Sequence, residues 1–173
     1  MKITGKESTR PRPVSNGVRI LQIGADRSKR GILYRGSPAF LRQKAYAKQF
    51  GKLDIIGFSL RSDGVSEISD GELGIHPTNS FSRLFYIPDA IRIARALPVP
   101  EAVSVQDPFE TGFIGWIISR LKKAPLHVQV HTDFLSSAYR KLSILNRARA
   151  FLAGFILRRA SRERIGVEGL EFH

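Results

Sequence analysis

The chain has 173 residues, 42% of them hydrophobic, and a formal net charge of +13. This length and composition can bury one good core and fit a single domain. The chain contains no cysteine, which excludes a disulfide framework and a thiolate metal site, and no apolar run approaches membrane-spanning length. We therefore expect a cytoplasmic protein.

The positive charge is concentrated at the two ends of the chain. Residues 1–50 carry 12 basic and 2 acidic side chains, residues 51–110 carry 5 and 9, and residues 111–173 carry 11 and 4. Basic ends favour anionic partners such as phosphorylated ligands, acidic lipid surfaces or nucleic acid. Residues 1–17 have almost no apolar content, so we predict a flexible basic tail that is not a signal peptide.

The first predicted strand is VRILQIG at residues 18–24, and a glycine-bounded loop follows it. Between Gly24 and Gly31 this loop carries Arg27, Lys29 and Arg30. A loop of this kind at the carboxyl end of a strand can hold a phosphate or sugar phosphate, although a solvated basic loop has the same composition. The glycine spacing does not match the dinucleotide fingerprint G-x-G-x-x-G, which disfavours a nicotinamide dehydrogenase.

The next segment predicts a helix and a second strand. Ser37-Pro38 is typical of a helix start and Gly51 of a helix end, which places a helix at 38–50. The apolar run LDIIGFSL predicts a strand at 53–60. A short strand at 73–77 is weakly indicated, with His76 as a strand-end or surface histidine. A further helix lies within 81–97, most clearly at 88–97.

Residues 102–131 read as one strand–helix–strand unit, with strands at 102–106 and 126–131 and a helix at 108–122. Asp107, Pro108 and Glu110 predict the helix start, with Asp107 as N-cap and Glu110 closing a capping box. Strands joined by a helix of this length should be parallel, with a right-handed crossover. Asp107, His131 and Asp133 then fall at the carboxyl ends of neighbouring strands, the edge where open α/β sheets bind ligands.

The last predicted elements are a basic amphipathic helix at 138–160, capped by Ser136 or Ser137, and a strand starting at Arg164. A helix that faces the core is favoured over one that lies on a membrane. The order of elements predicts an α/β fold over residues 18–173: a Rossmann-like, three-layer parallel sheet with helices on both faces.

Two motifs in this framework carry a family resemblance. The segments VQDPFETG at 105–112 and VQVHTD at 128–133 resemble the N-terminal domain of family 4 glycosyltransferases. The likeness covers roughly residues 18–167. Members of that family have two facing Rossmann-like domains, the GT-B arrangement, and they transfer a sugar from a nucleotide-sugar donor with retention of configuration.

The resemblance implies that the chain is the N-terminal, acceptor-side half of a GT-B glycosyltransferase of the hexosyltransferase type. His131 would be the catalytic residue that contacts the transferred sugar. Substrate-binding residues would be Gly24, Arg27, Lys29, Arg30, Asp107 and Asp133. The nucleotide-sugar is a substrate, and the resemblance implies no further cofactor and no metal.

The sequence departs from the family in one respect that bears on activity. Nothing in it matches the C-terminal domain, which in the family binds the donor and supplies the cations that stabilise the leaving diphosphate. We therefore expect the chain to be inactive alone and to need that missing domain as a partner. An anionic surface at the inner face of the cell membrane is a second expected partner.

Simpler explanations remain open for each part of this interpretation. Capping alone explains the spacing of Asp107 and Glu110, a satisfied strand-end histidine explains His131, and His127 is structural on this view. The alternative function is a non-catalytic Rossmann-like module that binds nucleic acid or a phosphorylated ligand. No nucleic-acid-binding motif is present, so nucleic acid is not the expected partner.

Overall fold

The computed structural model describes residues 17–25, 28, 30–129 and 143–160. The strands are β1 (Val18–Gly24), β2 (Gly51–Gly57), β3 (Ile68–Asp70), β4 (Leu73–Pro77), β5 (Ala102–Val105) and β6 (Leu126–Val128). The helices are α1 (Pro38–Phe50), α2 (Tyr86–Ala96), α3 (Glu110–Lys122) and α4 (Ile144–Ala160). Two 3₁₀ turns, Arg61–Asp63 and Arg83–Phe85, lie between strands and helices.

All six strands form one sheet in the order β3-β4-β2-β1-β5-β6. Only β3 is antiparallel to its neighbour, and β4, β2, β1, β5 and β6 are mutually parallel. Counted along the chain, the parallel strands lie in the order third, second, first, fourth, fifth, which is the Rossmann order. The predicted fold class is thus confirmed, and β5 and β6 pair in parallel, as expected.

Helices cover both faces of the sheet, because side chains alternate between the two faces along each strand. On one face α1 packs on β2 and β4, and the central residues of this core are Phe40, Leu53, Ile55, Leu73 and Ile75. On the other face α2, α3 and α4 cover the sheet. This second core combines strand residues with residues of α3 and α4. The strands contribute Leu21, Ile23, Ile56, Val103 and Val105, and the two helices contribute Ile114, Ile118 and Ile156.

The second strand and the sheet edge differ from the sequence prediction. β2 begins at Gly51 instead of residue 53, because Gly51 ends α1 at a φ of +119° and at once pairs with Val18. β2 ends at Gly57 instead of residue 60, and beyond it only Leu60 keeps a bridge, to Ser80. The antiparallel strand β3 was not predicted, since its three residues lie in a polar, glycine-rich connection.

The helix starts also differ from prediction. α2 lies within the predicted range 81–97, as expected, but begins at Tyr86, before the segment 88–97 where the helical pattern is clearest. α3 begins at Glu110 instead of residue 108. Residue 143 is not helical, so the prediction of one helix over 138–160 is wrong; Ser143 Oγ accepts the Asn146 N–H, and α4 starts at Ile144. The core-facing interpretation of this helix is confirmed, because Ala153 and Ile156 are fully buried.

Several predictions lie outside the described residues. These are the tail before residue 17, residues 130 and 131, the caps Ser136 and Ser137, and the strand from Arg164. The prediction of one strand over 126–131 is nevertheless wrong, because β6 ends at Val128 and Gln129 is outside it.

Candidate functional site

The strand order creates a switch point between β1 and β5. From β1 the chain crosses over α1 to β2 on one side, whereas α2 later returns it to β5 on the other side. The two connections leave in opposite directions, so a crevice opens between the carboxyl ends of these strands, and open α/β sheets bind ligands there. Gly24 ends β1 at this point, and Gln106 and Asp107 follow β5 directly.

The Gln106 side chain lies against Gly24 at this point. A Cβ atom added at Gly24 would lie 3.2 Å from Gln106 Oε1, so a larger residue at this position would crowd the amide. Gly24 is fully buried, and its carbonyl oxygen accepts a hydrogen bond from Phe58 N at 3.1 Å. The absence of a side chain at Gly24 lets the Gln106 amide approach the backbone closely at the end of β1.

Asp107 forms a turn and not the predicted capping box. Its Oδ1 accepts the Phe109 N–H at 2.8 Å, and its carbonyl oxygen accepts the Thr111 hydroxyl at 3.1 Å. Glu110 does not reach back to Asp107; Glu110 Oε1 instead accepts Arg149 Nη2 at 2.7 Å and Arg149 Nε at 3.1 Å. The capping-box prediction is wrong because Pro108 and Phe109 stay outside the helix and Arg149 of α4 binds the glutamate.

The Asp107 carboxylate can accept further hydrogen bonds at the crevice. A carboxylate has about four lone-pair directions, and the Phe109 N–H occupies one of them. Asp107 is half-buried, as is Gln106 beside it. An amide and a carboxylate at a glycine-lined crevice are suited to binding the hydroxyl groups of a polyol by hydrogen bonds.

Only part of the predicted cationic loop belongs to the described residues. Arg30 is exposed, and the turn after it is ordered by Gly31, whose N–H donates to Ser28 O and whose carbonyl accepts the Ser37 hydroxyl at 2.7 Å. Ile32 and Leu33 then enter the core. The structure therefore anchors the end of this loop beside α1.

Four predicted site residues, His131, Asp133, Arg27 and Lys29, lie outside the described residues. The structure does bring Gly24 and Asp107 to one edge of the sheet, with Arg30 in the loop that follows Gly24. His127, predicted as structural, is exposed on β6, with Nδ1 3.4 Å from Ser104 Oγ.

The carboxyl ends of β2 and β4 are joined by a network of short polar side chains. Thr78 Oγ1 accepts the Ser59 N–H and donates to the Ser59 carbonyl, while Ser59 Oγ accepts the Asn79 N–H. Asn79 has a φ of +45°, a conformation that asparagine tolerates better than most residues. The network fixes the sheet edge next to the switch point.

Four charged residues form a network of ion pairs that was not foreseen from the sequence. They lie on β1, β2, β4 and the loop before β3. Arg19 Nη1 lies 2.7 Å from Asp54 Oδ2, and His76 Nε2 lies 3.2 Å from Asp54 Oδ1. His76 Nδ1 lies 2.8 Å from Glu67 Oε1. His76 is thus inside β4 and mostly buried, which corrects its interpretation as a strand-end or surface histidine.

The pKa values of His76 and Asp54 in this network are set by burial and by their charged partners. Burial disfavours the charged form of His76, but its hydrogen bond to Asp54 and the negative charges of Glu67 and Asp54 outweigh this and raise its pKa. Burial likewise opposes ionisation of Asp54, yet hydrogen bonds from His76 and Arg19 lower its pKa. Each ring nitrogen of His76 lies within hydrogen-bond distance of a carboxylate oxygen, so the protonated ring can donate to both Asp54 and Glu67.

Two of these four residues, His76 and Glu67, line a cleft of about 560 Å³ between β4 and α2. Arg61, Glu67, His76, Asn79 and Arg92 are among its lining residues. The only sequence signal for it was the alternation that places Asp54 and His76 on the face of α2. The described residues contain no group of three or more acidic or histidine side chains arranged to hold a metal ion.

The strand order and the switch point define a Rossmann-like α/β domain. No protein-family model and no curated protein sequence matches the chain. Among solved structures, it is similar to UDP-GlcNAc 2-epimerase from Neisseria meningitidis bound to UDP-GlcNAc, with a TM-score of 0.47 and 12% identity over 80% of this chain and 39% of the epimerase. The chain therefore spans well under half of that enzyme.

A second similar structure is the C-terminal domain of a hydrogenase from Pyrococcus furiosus. The TM-score is 0.39 and the identity 12%, over 69% of this chain and 96% of that domain. At this identity both likenesses are confined to the arrangement of strands and helices.

Proposed function

We propose that this chain forms the acceptor-side domain of a retaining GT-B glycosyltransferase and works together with a second Rossmann-like domain that binds the nucleotide-sugar donor. One observation carries the proposal: Gly24, Gln106 and Asp107 meet at the switch point between β1 and β5. The segment that contains Asp107 is one of the two motifs that resemble family 4 glycosyltransferases, so the motif and the crevice coincide.

Each residue has a defined role in this proposal. Gly24 allows a substrate to approach the end of β1, and Arg27, Lys29 and Arg30 neutralise its phosphate groups. Asp107 and Asp133 accept hydrogen bonds from acceptor hydroxyl groups, and His131 contacts the transferred sugar. Asp107 is suited to its role because its turn holds the carboxylate in one orientation while leaving lone pairs open.

Hydrogen exchange on the chain itself tests where ligands bind. With UDP-, GDP- and ADP-sugars at millimolar concentration, and with mono- and disaccharide acceptors, we expect added protection at residues 24–31 and 106–110. Gly24→Val should abolish this protection, because a side chain there crowds Gln106 and fills the crevice. Protection by a short RNA and by none of the sugars would favour the alternative, a non-catalytic anion-binding module.

Catalysis is tested after fusion to a donor-binding domain that supports transfer of radiolabelled sugar. In the active fusion, His131→Ala should lower kcat on the order of 10²-fold, since it removes a group placed at the reacting sugar. His127→Ala is the matched control, because this neighbouring histidine is exposed on β6 and should leave kcat unchanged. Transfer by the 173-residue chain alone, or equal kcat values for both variants, would contradict the proposal.

A further inference from the structure

A separate cavity of about 270 Å³ lies at the amino end of β6, whereas the switch point lies at the carboxyl ends of the strands. It is bordered by the last turn of α3, the start of β6 and the last turn of α4. Its lining residues are Trp116, Ser119, Arg120, Lys123, Ala124, Leu126 and Arg159. We call it the basic cavity.

Among the described residues, three cations and no carboxylate line the basic cavity. Arg120, Lys123 and Arg159 form no ion pair with any residue that the structure describes. Other cations of the same molecule are paired, since Arg19 binds Asp54, Lys44 binds Asp70 and Arg149 binds Glu110. Three positive charges around one concave space, without a carboxylate partner in the part of the chain that the structure describes, favour an anion.

The aromatic side of the cavity holds one of these cations in place. The Arg159 guanidinium lies 3.4 Å from the Phe155 ring centroid and 5.6 Å from that of Trp116, and Arg159 Nη1 donates to the Phe155 carbonyl. Trp116 and Phe155 contact each other edge to face, with centroids 5.3 Å apart. Trp116 Nε1 is buried without a hydrogen-bond partner in the described part of the chain.

Lys123 occupies a position that ordinarily favours glycine. It has a φ of +53° and ends α3 in the left-handed conformation, with its N–H donating to the Arg120 and Ser119 carbonyls. Ser119 Oγ donates to the Ala124 carbonyl at 2.6 Å and fixes the same turn. A lysine here costs backbone strain that glycine would avoid, and Lys123 is one of the residues that line the cavity.

We propose that the basic cavity is a binding site for a phosphoryl anion, carried either by a small phosphorylated molecule or by a lipid headgroup. The competing explanation is that Arg120 and Lys123 only complement the negative end of the α3 dipole. That explanation accounts for stability at the end of α3, but it does not predict ligand binding or require Arg159 of another helix.

The single tryptophan of the chain makes the site observable, because Trp116 lines the cavity. Titration with inorganic pyrophosphate, followed by Trp116 fluorescence, should give a saturable change in emission. Arg120→Gln/Lys123→Gln should weaken this binding at least about tenfold, as the loss of charge-assisted hydrogen bonds implies. Arg42→Gln/Lys48→Gln on α1 makes the same change in net charge and should leave binding unaltered.

Vesicles distinguish the two sources of the anion. If phosphatidic acid vesicles shift Trp116 emission and the shift is lost in Arg120→Gln/Lys123→Gln, the headgroup is a ligand; if only pyrophosphate does so, the ligand is a small molecule. A fluorescence change that persists in this double variant, or that disappears equally in the α1 control, would overturn the proposal.

Lys123→Gly separates ligand binding from the helix-end explanation. Glycine relieves the left-handed strain, so the melting temperature should rise, while pyrophosphate affinity should fall because a cation is lost. If affinity is unchanged in this variant and in the double variant, the cations serve α3 alone and the proposed site does not exist.

Discussion

At the scale of single residues, the most consequential contacts that the sequence did not reveal are the ion pairs of one network. This network joins Arg19, Asp54, His76 and Glu67. Asp54 is buried in the central part of the sheet, and a carboxylate there is tolerated only with charged partners. Gly74 provides the space, since a Cβ at this position would lie 2.5 Å from Asp54 Oδ1 and 3.0 Å from His76 Nε2. The pair therefore depends on a glycine in β4.

We predict that His76 makes the free energy of unfolding depend on pH. Its pKa in the folded state is raised above the unfolded value of 6.5, so its contribution to stability is fully present below that pH. The contribution is lost as the pH rises through the folded-state pKa. Asp54, with a lowered pKa, contributes above pH 3.8 and loses its contribution as the pH falls through its folded-state pKa.

Urea unfolding of the parent chain and of His76→Gln between pH 5.5 and 8.5 checks this prediction. Asp54, Glu67, Arg19, Arg61 and Arg92 are the charged groups around the ring. The parent should lose stability across this range and His76→Gln should lose less, while Glu67→Gln should show an intermediate slope. Identical slopes in parent and His76→Gln would show that His76 is not preferentially protonated in the fold.

At the scale of elements, close approach of α3 to β5 depends on Gly115. A Cβ built on Gly115 would overlap Val105 Cγ1 and lie 3.3 Å from Leu126 Cδ1. Val105 is fully buried, so its side chain has no room to move away. Gly154 in α4 is the contrasting case, since no atom of the described residues lies within 4 Å of a Cβ added there.

We predict opposite effects for the same substitution at these two glycines. Gly115→Ala should lower the free energy of unfolding by about 1–3 kcal/mol, because it overpacks the core. Gly154→Ala should raise it by about 0.5–1 kcal/mol, because alanine is the better helix former. Urea denaturation followed by circular dichroism measures both, and destabilisation of similar size in the two variants would contradict the packing explanation.

The sequence predicted the parallel elements well because their signals are local. Apolar runs gave β1 and β5 nearly to the residue, and Ser37-Pro38 gave the start of α1, where Ser37 Oγ accepts the Phe40 N–H. Starts were missed where a distant partner decides the outcome. Glu110 pairs with Arg149 on another helix, and β3 forms only because β4 offers it an edge.

The candidate site was predictable only to the level of the sheet edge. Parallel pairing follows from the strand–helix–strand pattern, and it places the ends of β1 and β5 side by side. The Asx turn at Asp107 and the pairing of His76 with Asp54 require tertiary contacts that no local pattern encodes. The basic cavity likewise combines residues from α3, β6 and α4.

At the scale of the whole molecule, charge separates the ends of the chain from its middle. The net charge of +13 arises from 28 basic and 15 acidic side chains, and the acidic excess is confined to residues 51–110. Within the described ranges, every helix is too short or too polar to traverse a lipid bilayer. The positive excess at both ends favours anionic partners.

We predict that the chain binds anionic vesicles and that binding falls as salt rises, because exposed charges are screened over about 10 Å at 0.1 M salt. Co-sedimentation with phosphatidylglycerol vesicles at increasing NaCl measures this, with phosphatidylcholine vesicles as the control. Arg120→Gln/Lys123→Gln should change this bulk binding only slightly, since 26 of the 28 basic residues remain. Equal binding to both lipids would exclude an electrostatic origin.

The central position of β1 has a consequence for how the protein is made. This strand is synthesised before the other five strands of the described sheet, and it pairs on one side with β2 but on the other with β5, where Leu21 lies opposite Val103. Until residues 102–105 have left the ribosome, one hydrogen-bonding edge of the innermost strand stays open, and α3 has not yet been made to cover Leu21 and Ile23. A nascent chain that pauses before β5 thus presents an unpaired, apolar strand edge, the feature that most readily recruits chaperones or a second copy of itself.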